Sequence, residues 1–251
     1  MKNDHYFDKK TVSQEGYKLI CLPYAGGGAS YFNGLQKAMY GGIDVIAAQL
    51  PGRESRMAEK PLHSCRELAA AIADELSPYL KSGNFSVFGH SMGGIIGYEL
   101  SCQLTEKGLC PDVCFISSTA IEEQVTQPPS LELDDDAFLE RVAFFGGIDK
   151  DSEILKYPEF KSVYLNILRA DFTVVESYVC GGKCLPCPIA ALCGDSDPSE
   201  TLDNMRKWEG YTSSQVIYRQ FCGDHFYIEH SLDELCGFLT KTIRSARQKR
   251  S

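Results

Sequence analysis

The residues best placed to do chemistry start with a serine between glycines. Phe85-Ser86-Val87-Phe88-Gly89-His90-Ser91-Met92-Gly93-Gly94 runs directly into Ile95-Ile96-Gly97-Tyr98-Glu99-Leu100. A strand-like run, the pattern G-x-S-x-G and a helical run thus follow one another, which is the setting of a nucleophile elbow. The turn is so sharp that side chains at Gly89 and Gly93 would collide across it. It leaves the Ser91 backbone strained and its hydroxyl projecting above the strand end, with a helix N-terminus behind it that favours developing negative charge. Ser91 is the expected nucleophile.

A serine hydroxyl attacks only when a base takes its proton, and the chain offers five histidines. His5 lies in a polar, ragged N-terminal stretch. His63 precedes a helix on the far side of the expected topology, and His90 is fixed beside the serine without useful geometry. His230 starts the last helix and reads as a surface or capping residue. His225, in the loop Cys222-Gly223-Asp224-His225-Phe226 straight after the last strand, is the expected base.

An acid must orient that imidazole, and the order serine, acid, histidine points to Gly194-Asp195-Ser196-Asp197-Pro198. Asp197 is preferred, because two residues after the glycine let the loop turn before presenting it. Asp195 stays open as the alternative, and Asp224 is expected to serve its own loop backbone. Two backbone donors must meet the oxyanion. The amide of Met92 is one, and the amide of Ala25, in Pro23-Tyr24-Ala25-Gly26-Gly27-Gly28 after the first core strand, is the other. That glycine-rich run lacks both G-x-G-x-x-G and the lysine of a phosphate loop.

These groups need a scaffold that brings strand ends together. Tyr17–Leu22, Asp44–Leu50, Phe85–Phe88, Val113–Ser117, Ile189–Cys193 and Val216–Phe221 read as strands. Several are continuously apolar, as parallel strands covered on both faces are. Helices are expected over Cys65–Leu80, from just after Ser91 to about Lys107, and from Ser231. Ser64/Glu67 and Ser231/Glu234 have capping-box spacing. The alternation implies a mostly parallel sheet flanked by helices. From about residue 122 to 180 the rhythm breaks into a loop (Gln127-Pro128-Pro129-Ser130), an acidic helix start (Asp134-Asp135-Asp136) and amphipathic helices in which Phe138 and Val142 share a face. This segment is expected to form a helical lid over the strand ends, inserted in a single domain spanning residues 1–251.

Composition excludes several classes. The chain of 251 residues is 43% hydrophobic and 24% charged, as an ordinary globular protein is, and its formal charge of −9 argues against nucleic acid as a partner. The basic cluster Lys241, Arg244, Arg247, Lys249, Arg250 reads as a solvated helix end. No window is apolar enough to cross a bilayer, and the N-terminal residues have no signal-peptide core. A cytoplasmic, monomeric protein is expected, with its eleven cysteines reduced. Cys180-Gly181-Gly182-Lys183-Cys184-Leu185-Pro186-Cys187 shares only its spacing with iron–sulfur signatures. No metal or cofactor is expected.

Several segments together resemble the stand-alone type II thioesterases that accompany nonribosomal peptide and polyketide synthases, a family of α/β-hydrolase fold. They are Leu22-Pro23-Tyr24-Ala25-Gly26-Gly27, Leu50-Pro51-Gly52-Arg53-Glu54-Ser55-Arg56, the Ser91 elbow, Leu168-Arg169-Ala170-Asp171-Phe172 and Gly223-Asp224-His225. The resemblance gives Ser91, Asp197 and His225 the catalytic roles and makes residues 122–180 a mobile lid. It implies an acyl or peptidyl thioester on the phosphopantetheine arm of a carrier protein as substrate, for editing or for product release. A carboxylester hydrolase or acyltransferase acting on small molecules shares the same triad and is the rival. Arg53 and Arg56 are placed at the entrance as contacts for the carrier, with internal ion pairing as the competing reading.

Overall fold

Six apolar runs of the sequence become six strands, and every pairing between them is parallel. The computed structural model describes residues 5–7, 16–121, 129–148 and 153–250. The strands are β1 (Tyr17–Leu22), β2 (Ile43–Ala47), β3 (Phe85–His90), β4 (Cys114–Ser117), β5 (Ile189–Gly194) and β6 (Val216–Phe221). Every residue of β1, β3, β4 and β5 is buried, so both faces of these strands are covered and mostly apolar, with Lys18, Ser86, His90 and Ser117 the buried polar exceptions. The sheet order is β2-β1-β3-β4-β5-β6. The chain leaves β1 toward one edge and returns on the other side with β3. The loops that follow β1 and β3 therefore diverge and leave a crevice over their carboxyl ends. The loop of Ala25 follows β1, and Ser91 follows β3.

Helices cover both faces. On one side, α1 (Asn33–Ala38) and α7 (Leu232–Arg250) bring Leu35, Leu235 and Leu239 against Leu19, Cys21, Phe88 and Phe115. On the other, α2 (Cys65–Leu76) and α3 (Met92–Glu106) pack Leu68, Ile72, Ile96 and Leu100 against Ile20, Leu22 and Val87. Ser64 caps α2 by accepting the Glu67 amide at 3.3 Å. That helix stops short of the expected Leu80, because Pro78 converts its end to a 3-10 turn over Ser77–Tyr79. At α7 the residue before the helix makes a tertiary bond. The Ser231 hydroxyl donates to the Cys222 carbonyl at 2.9 Å and ties the helix to the loop that carries His225.

The N-terminal stretch departs from its polar appearance. Tyr6 and Phe7 are buried, Gln49 donates its amide to the Tyr6 carbonyl at 2.8 Å, and the Arg56 guanidinium lies 4.3 Å above the Tyr6 ring. Between β4 and β5 stand α4 (Asp135–Phe144) and α5 (Pro158–Glu176), and after β5 comes the short α6 (Leu202–Met205). The expected start of the insertion and the Gln127-Pro128 part of its loop lie outside the described residues. Asp134 caps α4 through the Ala137 amide at 2.8 Å. Phe138 and Val142 share a buried face, packed with Leu139, Leu165 and Leu168. Among the described residues no helix is long and apolar enough to cross a membrane.

Candidate active site

β3 ends at His90 and α3 begins at Met92, so the chain reverses at one residue. Ser91 takes φ 54° and ψ −122°, a conformation that costs a non-glycine residue about 1–3 kcal/mol. Backbone crowding explains the flanking glycines. A Cβ at Gly89 would lie 1.9 Å from the Gly93 carbonyl oxygen, and one at Gly93 would lie 2.1 Å from the Leu22 carbonyl oxygen. The turn is pinned by Ser91 N donating to Ser117 O at 2.7 Å and Gly94 N donating to Ser91 O at 2.8 Å.

Ser91 opens into a cavity of about 250 Å³ whose wall includes His225, Ile95, Ile121, Phe145 and Phe172. His225 is 3% exposed, and its Nδ1 lies 3.0 Å from Asp197 Oδ2. The other oxygen, Asp197 Oδ1, accepts from Ser199 N (2.9 Å), Ser199 Oγ (2.7 Å) and Glu200 N (3.1 Å). Burial alone would raise the Asp197 pKa. The hydrogen bond and charge of His225 and the bonds from Ser199 outweigh it and hold the carboxyl below the usual carboxylate range. Asp195 instead accepts the Gly223 amide at 3.0 Å, and Asp224 accepts the Phe226 amide at 2.8 Å. Both brace the loops, and of the two carboxylates after β5 it is Asp197 that meets His225. His230 and His63 are exposed.

Ala25 and Met92 line the same cavity. Neither amide has a hydrogen-bond partner among the described residues, and a helix's first N–H groups have none within the helix. Both are free to receive a developing oxyanion.

Ser199 was not singled out in the sequence. Its signal was Asp-Pro-Ser, a sequence that bonds its own aspartate. The His90 surroundings were also missed. His90 is fully buried, with Nδ1 3.0 Å from Ser117 Oγ, and that hydroxyl is 2.8 Å from Tyr227 OH. Its ring centroid lies 5.2 Å from that of His225. Burial, then the neighbouring His225, push the His90 pKa well below its ordinary value of 6.5, so the ring stays neutral. Between the lowered folded value and 6.5 the unfolded chain binds the extra proton. The stability His90 contributes is therefore complete above 6.5 and lost as pH falls, by up to about 1.4 kcal/mol per pH unit. Unfolding midpoints taken between about pH 7.5 and 5 should fall more steeply for the wild type than for His90→Gln. Parallel slopes would show that His90 is not held neutral.

The arginines expected at the entrance are internal. Arg53 is 5% exposed and forms a two-pronged pair with Asp171 at 2.6 and 2.7 Å. Arg56 is 6% exposed and holds Glu59 and the Gln49 carbonyl. Both guanidinium groups are buried and already paired, Arg53 with the buried Asp171 and Arg56 with the partly exposed Glu59, so neither is presented to a partner protein. Of the clustered thiols, Cys180 is half-buried, Cys184 exposed and Cys187 buried. Among the described residues no group of three or more His, Cys, Asp or Glu side chains is placed to hold a metal ion.

An all-parallel sheet that carries a strained serine at a strand–helix turn, beside the reversal of strand order, defines an α/β-hydrolase. Relatives narrow the class. Residues 17–243 match the thioesterase domain family. The chain is 32% identical over 232 residues to the thioesterase PikA5 of Streptomyces venezuelae, covering 92% of this chain and 82% of that one. It is 31% identical to the gramicidin S biosynthesis protein GrsT of Aneurinibacillus migulanus, over 96% and 94% of the two chains. The structure of BorB, the type II thioesterase of the borrelidin cluster, superposes with a TM-score of 0.81 at 29% identity, over 96% and 100%. The chain belongs to the thioesterase domain family, and within it to the type II thioesterases of nonribosomal peptide and polyketide pathways.

Proposed function

We propose that this thioesterase hydrolyses acyl or peptidyl thioesters from the phosphopantetheine arm of carrier-protein domains, and so clears or releases chains held on a synthase. The observation that carries the reading is the buried Asp197–His225 pair, 3.0 Å apart, opening onto the same cavity as the strained Ser91.

Ser91 Oγ attacks the thioester carbonyl while His225 Nε2 takes its proton, with Asp197 stabilising the imidazolium. The oxyanion receives the amides of Ala25 and Met92. The carbon–sulfur bond breaks, His225 protonates the departing thiolate, and the acyl group stays on Ser91. Water then gives its proton to His225 and attacks the ester. The acid leaves and the proton returns to Ser91 Oγ. No step calls for a metal or cofactor, and the single domain with its lid over the strand ends works as a monomer in the cytoplasm. Family membership, with relatives of synthase pathways, favours the carrier-bound substrate over free esters.

The test is release of acyl groups from an acylated carrier protein, run beside a simple ester and with Ser91→Ala as the control. Release from the carrier that is absent in the variant supports the reading. Turnover of the ester without the carrier-bound group would move the protein to the general esterases.

A further inference from the structure

Two sequence motifs far from the elbow, Pro-Gly-Arg-Glu and Arg-Ala-Asp-Phe, are left unused by the chemistry above. They meet at the loop that holds Ala25. Gly27 N donates to Tyr24 O at 3.0 Å, closing a four-residue turn in which Gly26 has φ +85°, the mark of a type II turn. The central peptide of that turn is captured from outside. Its N–H, on Gly26, donates to Asp171 Oδ2 at 2.7 Å. Asp171 Oδ2 also takes Arg53 Nη1 at 2.6 Å, while Arg53 Nη2 meets Oδ1 at 2.7 Å. Arg53 Nη1 reaches the Gly27 carbonyl as well, at 3.1 Å. One guanidinium and one carboxylate therefore hold both a donor and an acceptor of the turn.

The pair is 5% and 1% exposed, where taking two charges out of water can outweigh their attraction. Stability alone is a weak reason for such a pair, whereas fixing one backbone conformation is a strong one. Asp171 sits on α5, next to Phe172 and one turn before Val175, and both of those wall the acyl cavity. Leu168 of the same helix packs so closely on Gly26 that a Cβ there would lie 2.8 Å from it. The turn is thus seated on the cavity-lining helix by one ion pair and one apolar contact.

We propose that Asp171 and Arg53 are positioning residues for the oxyanion turn, and that they make its formation depend on the seating of α5. The turn that carries Ala25 at the cavity wall is then held in shape only while the helix that encloses the acyl group is in place. Catalysis is thereby coupled to enclosure. This rests on Ala25 serving as an oxyanion donor in the reaction proposed above.

The test compares wild type, Asp171→Asn and the double variant Arg53→Met with Asp171→Leu, which replaces the pair by apolar groups. An acyl N-acetylcysteamine thioester reports kcat and KM. A trifluoromethyl ketone, which adds Ser91 as a tetrahedral hemiketal, reports the oxyanion site, and a non-hydrolysable thioether reports ground-state binding. The double variant removes the buried charges but leaves the Gly26 N–H and Gly27 carbonyl without these partners, so its melting midpoint should fall, and a single cooperative melt above the assay temperature shows that it is folded. Its kcat should fall about a hundredfold or more, with ketone affinity falling in parallel and thioether affinity and KM unchanged. Asp171→Asn keeps an acceptor for Gly26 and should fall between the two. Wild-type kcat and ketone affinity in the folded double variant would overturn the proposal. So would losses in KM and thioether affinity equal to those in kcat. A wild type that hydrolyses no thioester removes the underlying reading too, whereas wild-type turnover with unaffected variants removes this inference alone.

Discussion

Replacing Gly93 with alanine should cost about 3 kcal/mol of stability and lower turnover about a thousandfold or more. The added methyl would sit 2.1 Å from the Leu22 carbonyl oxygen, 2.6 Å from its carbon and 2.8 Å from the Pro23 carbonyl oxygen. All three are backbone atoms at the end of β1, so no rotamer change relieves them. The first turn of α3 must move away from the start of the Ala25 loop. That movement separates the two amides that have to converge on one oxygen, and losing even one such donor costs about a hundredfold to a thousandfold. The melting midpoint should drop by roughly 6–12 °C for a chain of this size. Gly108→Ala is the matched control. Gly108, unlike Gly93, has a positive φ, +78°, and nothing lies within 4 Å of its added carbon. It should pay only the local conformational strain and keep full turnover. A Gly93→Ala protein with normal activity would mean that the elbow and the Ala25 loop are not packed together as described.

The same crowding explains what could be read in advance. Gly89, Ser91 and Gly93 were legible because the reversal after β3 admits few residue types at fixed spacing. The strands were legible because a parallel sheet buried on both faces leaves continuous apolar runs, as in β1 and β5. Asp197 was readable only as a preference. What excludes Asp195 is its bond to Gly223, a residue 28 positions away. Arg53 was readable only as a choice between the entrance and an internal ion pair, and the structure gives the internal pair. An arginine in a polar loop is exposed by default, and its partner Asp171 lies 118 residues on, beyond any local pattern. Tyr6 and Phe7 sat in a polar context that hid their burial. The Ser231 bond to Cys222 O was not legible because its acceptor comes from tertiary structure.

The second large effect is expected at Asp197, where asparagine should lower kcat about ten-thousandfold while leaving KM and the melting midpoint close to wild type. The direction follows from the donors around the carboxylate. Oδ1 accepts from Ser199 N, Ser199 Oγ and Glu200 N. An asparagine must keep its oxygen there, because its amino group would set donors against donors. The NH₂ is then forced into the Oδ2 position, facing His225 Nδ1 at about the present 3.0 Å. A donor facing Nδ1 demands a lone pair on that nitrogen, so the imidazole proton moves to Nε2. In that tautomer Nε2 has nothing with which to accept the Ser91 proton. The ring is still in place, the cavity is unchanged and the substrate still binds. Only the base is lost. The charge that stabilises the imidazolium is gone as well, so restoring the productive tautomer recovers part of the rate but not all of it. Kinetics on a small acyl thioester, with nitrogen NMR of the His225 ring to read the tautomer, would check both halves. A kcat within tenfold of wild type, with Nε2 protonated, would show that His225 is not the base and that proton transfer from Ser91 takes another route.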